Sequence, residues 1–230
     1  MATLTALAPD PLTPGYRLVE VDRGRFASLP AEPLEMLGLR VGVELDPPTL
    51  ARLQDLADVE AAWRAGGRAL AARGRARLDL RRRLIQKQHP PRAVDAALER
   101  LAAHGLLDDQ RFAREYAGRR AAGGRGPARI VADLLTQGVE RNVAETAVVQ
   151  ALADEGVDPA VAVRAVAARR AAQLAGVPAA TRKRRLLAYL ARRGYRGTEV
   201  RAVVEEVCGA GAGLPNGGQV APHRGPTARG

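Results

Sequence analysis

The chain has 230 residues, with 36 basic against 25 acidic side chains and a formal net charge of +11. Apolar residues make up 47%, aromatics only 3%, and there is one cysteine. This composition excludes a disulfide framework, a cysteine-only zinc site and an aromatic base-stacking platform. No apolar run approaches the roughly 18–20 residues that cross a bilayer, and the opening MATLTALAPDPLTPG lacks a basic n-region. The expectation is a soluble cytoplasmic protein with no membrane association.

In chain order, residues 1–15 are rich in Pro and Ala and are expected to be a flexible N-terminus. Residues 16–47 are predicted to be a small β-containing segment. Within it, strands are expected from Tyr16 to Val21, from Arg25 to Ala27 and from Val41 to Leu45, with a turn at Asp22–Gly24 and with Pro30 and Pro33 excluding any helix. From Pro48 the apolar spacing turns helical. Residues 208–230 hold almost no large apolar group besides Leu214 and are expected to be a disordered tail.

Between these ends lies a triplicated pattern anchored on Leu84, Leu134 and Leu190. Four residues earlier stand Leu80, Ile130 and Leu186. Four residues later stand Gln88, Gly138 and Gly194, followed by His89, Val139 and Tyr195. Ten and fourteen residues after the anchors come Val94, Ala144 and Val200, then Leu98, Val148 and Val204. An apolar pair at i, i+4 marks one face of a helix, and a glycine just beyond it ends that helix in a left-handed cap. Each unit therefore reads as helix, tight turn, helix, preceded by a longer helix at 49–73, 109–122 or 159–175. Asp108 and Asp158 are expected as N-caps. The predicted units are repeat 1 over 48–105, repeat 2 over 106–156 and repeat 3 over 157–207.

The middle unit carries a family resemblance. Leu107–Asp108–Asp109, Phe112–Ala113, Arg119–Arg120, Gly126, Ile130, Leu134 and Gly138 resemble the signature of the RecX family of recombinase regulators. Residues 69–84 resemble that family's first repeat, and Leu190, Gly194, Tyr195 and Val200 its third. The resemblance implies a mainly α fold of tandem three-helix repeats in an elongated curved body. It also implies a non-enzymatic modulator, expected to inhibit, that binds the RecA recombinase filament in DNA repair and recombination. The departure is Gln88–His89–Pro90–Pro91, where the other units have a glycine turn.

The net charge is −3 over residues 1–70 and +12 over residues 71–207. One cluster holds Arg73, Arg75, Arg77, Arg81, Arg82, Arg83 and Lys87, with Asp79 its one internal acid. Another holds Arg182, Lys183, Arg184, Arg185, Arg192, Arg193 and Arg196 with no acid between them. Both fall on the helix before the turn, so repetition is expected to display them on a shared side. Such groups bind phosphate by charge and by bidentate hydrogen bonds. A third group, Arg119, Arg120, Arg125 and Arg129, reads equally as a contact to DNA or filament and as helix C-terminal charge complementation. The candidate filament or DNA contacts are Arg73, Arg77, Arg81, Arg82, Arg119, Arg120, Arg129, Arg182, Lys183, Arg184, Arg185, Arg192 and Arg193. Single- or double-stranded DNA is the expected second partner, and the chain is expected to be a monomer.

No catalytic, metal-binding or cofactor-binding set is predicted. Asp108–Asp109 suits a helix cap better than acid–base work, and no P-loop or dinucleotide fingerprint occurs. Phe112, Tyr116 and Tyr195 are expected in the core, and Trp63 against the first repeat. The rival reading is a duplex-DNA-binding transcriptional regulator built from helix-turn-helix-like units. Against it, no helix obviously offers Asn, Gln and Arg together, although Arg141 and Asn142 open one candidate.

Overall fold

The computed structural model describes residues 2–154, 156 and 158–209. The predicted tail lies outside these residues except for Cys208 and Gly209, which still belong to the last helix. The chain begins with strands β1 (Ala2–Pro9), β2 (Tyr16–Val21) and β3 (Gly24–Pro30), a short helix α1 (Ala31–Glu35) and strand β4 (Glu44–Leu45). Nine helices follow among the described residues: α2 (Pro47–Ala72), α3 (Arg77–Gln86), α4 (Pro91–Ala103), α5 (Asp109–Ala122), α6 (Pro127–Thr136), α7 (Arg141–Asp154), α8 (Pro159–Ala172), α9 (Ala179–Arg193) and α10 (Thr198–Gly209). The chain forms two compact units. Among the described residues, one comprises 2–119 with Val131–Ala151, and the other Arg120–Ile130 with the described part of 152–209.

The strands form an antiparallel sheet in the order β3-β2-β1-β4. The β2–β3 hairpin turns on Asp22 (φ 52°) and Arg23 (φ 64°), the two left-handed residues that match the strand twist. Thr3 N–H donates to Asp22 Oδ1 (2.8 Å), which fixes the turn to β1. Leu4, Val19, Leu29, Leu34, Leu45 and Leu53 form the core under the sheet, so the start of α2 closes it.

Three expectations for this region are corrected. The segment expected to be flexible contains β1: Leu4 is its one fully buried side chain, and its order comes from pairing with β2, which no local apolar alternation announces. Pro33 does not exclude helix, because it sits in the first turn of α1, where its missing N–H has no intrahelical partner to lose. The third expected strand shrinks to Glu44–Leu45, with Val41 and Val43 exposed.

The apolar members of the triplicated pattern all lead inward, whereas Gln88 is exposed and His89 only partly buried. Leu80, Leu84, Val94 and Leu98, then Ile130, Leu134, Val139, Ala144 and Val148, then Leu186, Leu190, Tyr195, Val200 and Val204 are all buried. The turn after each anchor is the same hydrogen-bonded structure. His89, Val139 and Tyr195 N–H groups donate to Leu84, Leu134 and Leu190 C=O at 3.2, 3.1 and 3.0 Å. Gln88, Gly138 and Gly194 N–H groups donate to Ile85, Leu135 and Ala191 C=O at 2.9, 2.9 and 3.0 Å. These paired bonds are a Schellman cap, which satisfies the last carbonyls of the helix. Gly138 (φ 86°) and Gly194 (φ 90°) take the left-handed position, and in the first unit Gln88 takes it with φ 68°.

Helix α2 runs without interruption through Gly66, where a Cβ would lie 2.7 Å from Leu101 Cδ1 on α4. That glycine brings two helices close over the core of Ala62, Leu80, Leu84, Val94, Leu98 and Leu101. In the third repeat, Val163, Ala167, Leu186, Leu190, Tyr195, Val200 and Val204, with Cys208 just after it, form a separate core.

Candidate polyanion-binding surface

Each candidate basic residue is placed by helix periodicity, and its role is then decided by what faces it. On α3, Arg77 pairs with Glu99 (2.6 Å) and Arg81 with Asp95 (2.6 and 3.0 Å), both carboxylates on α4. The two-point contact from Arg81 holds the Asp95 carboxyl below the usual carboxylate range. Arg75 pairs with Asp79 one turn on (2.7 Å). By contrast Arg73, Arg82, Arg83 and Lys87 are exposed and have no carboxylate partner among the described residues.

The α9 cluster divides in the same way. Lys183 pairs with Glu205 on α10. Arg182 donates to the Cys208 carbonyl at 3.0 Å, near the end of α10. Arg193 donates to the carbonyls of Gly123 and Gly124 and stacks 5.0 Å from the Tyr189 ring centroid, with Arg170 at 5.2 Å from the same ring. Arg184, Arg185, Arg192 and Arg196 are exposed and have no such partner among the described residues. Arg119 is exposed and donates to the Glu115 carbonyl of its own helix (3.2 Å). Arg120 and Arg129 are exposed, and each has an interaction within the chain.

The two clusters share a helix type but not its positions. Counted from the anchors, Arg82 corresponds to Ala188, whereas Arg184, Arg185 and Arg192 correspond to Leu78, Asp79 and Gln86. What does repeat is the ion pair. Arg77–Glu99 and Lys183–Glu205 stand at identical offsets, seven residues before and fifteen after their anchors. These pairs brace the second helix of a unit on its third, at sites where the basic runs alone suggested only ligand contacts.

The acids seen as a possible catalytic pair are caps. Asp108 accepts from Arg111 N–H (2.9 Å) at the start of α5, and Asp109 accepts from Arg77 N–H (2.7 Å) at the start of α3. Burial is the main influence on the Asp109 carboxyl and pushes its pKa up. Phe112 is buried, Tyr116 donates to Asp133 (3.4 Å), and burial raises the Tyr195 hydroxyl pKa. Trp63 packs on the first helical core beneath the Arg100 guanidinium, 4.2 Å from the ring centroid.

Beside Trp63 lies a polar network that no local sequence pattern announces. Glu60 is only 3% exposed and accepts from Arg64 Nε (2.6 Å), Arg100 (2.8 Å) and Tyr16 Oη (3.4 Å). Arg64 also reaches Ser28 Oγ (3.4 Å), whose hydroxyl donates to Asp10. That hydroxyl is the first cause of the lowered Asp10 pKa. The network links the sheet to α2 and α4.

The model of the second three-helix domain of RecX matches residues 108–148. The regulatory protein RecX of Halorhodospira halophila is 40% identical over 144 residues, which span 62% of this chain and 86% of that one. The corresponding protein of Mycobacterium leprae is 37% identical over 142 residues, covering 60% and 80%. Among solved structures, a crystal structure of regulatory protein RecX superimposes with a TM-score of 0.71 at 19% identity, over 90% of this chain and 98% of the other. RecX from Lactobacillus salivarius gives a TM-score of 0.58 at 17% identity, over 65% and 96%. The fold agreement accompanies sequence identity that extends well beyond the middle unit, and the chain belongs to the RecX family of regulatory proteins.

Proposed function

We propose that the chain is a non-enzymatic regulator that binds RecA–DNA filaments in the cytoplasm as a monomer and lowers recombinase activity. The observation that supports this reading is the division of the arginines. One set is consumed by internal carboxylates and carbonyls, while Arg82, Arg184, Arg185 and Arg192 stand exposed with no carboxylate partner among the described residues. An exposed guanidinium without a counter-charge offers a planar set of donors to phosphate or carboxylate. Binding through several of them releases counterions and is steeply salt-dependent. The mechanism is occupancy: a protein seated on the filament through these groups excludes the incoming duplex. The family's regulatory character and the capping roles of Asp108 and Asp109 favour regulation over catalysis.

Co-sedimentation with RecA filaments on single-stranded DNA at graded salt, with ATP hydrolysis followed alongside, tests the proposal. The expected result is pelleting that falls steeply with salt and hydrolysis that declines as the protein is added. A chain that stays in the supernatant while hydrolysis is unchanged would overturn it. Sequence-selective binding to duplex DNA without recombinase would instead support a transcriptional regulator.

A further inference from the structure

On the third helix of each repeat, two positions fifteen and sixteen residues after the anchor set the middle repeat apart. In the first repeat these are Glu99 and Arg100, paired with Arg77 and Glu60. In the third they are Glu205 and Glu206, paired with Lys183 and Arg164. In the middle repeat they are Val149 and Gln150 on α7. Val149 is 68% exposed, and the Gln150 side chain has no partner among the described residues. The middle repeat has therefore given up the ion pairs that occupy its counterparts.

Beside that face, α5 and α7 enclose a groove of about 300 Å³. Gln110 and Arg114 line it from α5, and Asn142, Thr146 and Gln150 from α7, all within the first compact unit. Gln110, Arg114, Thr146 and Gln150 are exposed, and their side chains make no hydrogen bond or ion pair among the described residues. The Asn142 carbonyl oxygen accepts from Val143 N–H (2.8 Å), which leaves its NH₂ group to face a ligand.

We propose that this groove binds an extended acidic polypeptide segment. The Gln110 and Gln150 carboxamides each carry the donor and acceptor complement of a peptide group, and Asn142 adds a donor. Arg114 is the one charged residue in the lining and suits a carboxylate in bidentate contact. Val149, one helical turn from Thr146 and two from Asn142 on the same helix, offers an apolar contact for an aliphatic side chain of the same segment. Nucleic acid fits less well. The lining has no aromatic ring for base stacking, and one cation is few for a phosphodiester chain. A concave groove also cannot enter a major groove as a protruding helix does.

The test uses the full chain and a fluorescein-labelled eight-residue peptide alternating Asp with Ser and Val, with an Asn-for-Asp twin as control. Anisotropy is read at physiological salt, and the side-chain amide NMR signals of Gln110, Asn142 and Gln150 are followed with unlabelled peptide. The expected result is selective binding of the acidic peptide with shifts at those three amides. Arg114→Glu is expected to weaken it about tenfold or more, Gln150→Ala is expected to weaken it less, and Arg184→Glu with Arg185→Glu to leave it unchanged. All these positions are exposed, and unchanged melting confirms that each variant folds. The proposal is overturned if binding survives Arg114→Glu but is abolished in the Arg184/Arg185 variant. It is also overturned if the three amides stay still, or if a single-stranded oligonucleotide moves them and the peptide does not.

Discussion

Gln88 holds the left-handed backbone position that glycine fills at 138 and 194. For a residue with a Cβ that conformation costs on the order of 1–2 kcal/mol, and the Schellman hydrogen bonds around it sustain the cost. Gln88→Gly is therefore expected to stabilise the chain by about 0.5–1 kcal/mol, net of the extra freedom glycine gains when unfolded. The reverse change, Gly194→Ala, meets both the left-handed penalty and the Arg129 backbone, and is expected to cost about 2 kcal/mol or more. Urea denaturation of the two variants reads both values. Asp109 gives a second test at this scale. Its folded pKa is raised by burial, so it favours folding most fully below the unfolded carboxylate pKa and loses that contribution as pH rises through the folded value. Asp109→Asn keeps an oxygen for the Arg77 N–H, so it is expected to be at least as stable as the native chain at pH 7, with its advantage gone near pH 3. Asp109→Ala removes the cap and is expected to lose about 1 kcal/mol at either pH. Melting curves at the two pH values distinguish these outcomes.

The helices were legible in the sequence because their determinants are local. The anchor, the cap and the two following apolar positions fall within fourteen residues of one another, and each marks a buried group or a backbone requirement. Strand β1 was not legible, because its pairing partners Arg17 to Val21 lie across the loop of residues 10–15 and only Leu4 among its side chains is fully buried. The Glu60 network was hidden for the same reason. Tyr16 stands 44 residues from Glu60 and 84 from Arg100, so no window along the chain contains it. This network also carries the element-scale prediction. Removing one member of a buried ionic cluster leaves the others uncompensated, at a cost of about 3–5 kcal/mol. Glu60→Ala is expected to lose stability in that range, with the largest gain in hydrogen exchange in β1–β3. Exchange that rises equally everywhere would show that the network does not hold the sheet on α2 and α4.

For the whole molecule, net charge makes a polyanionic partner an expectation but does not distinguish the arginines proposed to meet it. Arg77 and Arg81 lie in the densest basic run, yet their carboxylates come from α4, 22 and 14 residues away. Arg184, Arg185 and Arg192 lie in a run of the same appearance and have no carboxylate opposite them among the described residues. The difference depends on which acids the third helix of each unit turns toward the second, a tertiary property. The proposed filament binding therefore depends on exposed arginines, and its most direct test is the salt dependence of filament binding by a chain carrying Arg184→Ala, Arg185→Ala and Arg192→Ala. The slope of log affinity against log salt is expected to fall by about one unit for each phosphate that is no longer neutralised, with weaker binding at every salt and unchanged melting. An affinity and a slope equal to those of the native chain would contradict the proposed role of these arginines.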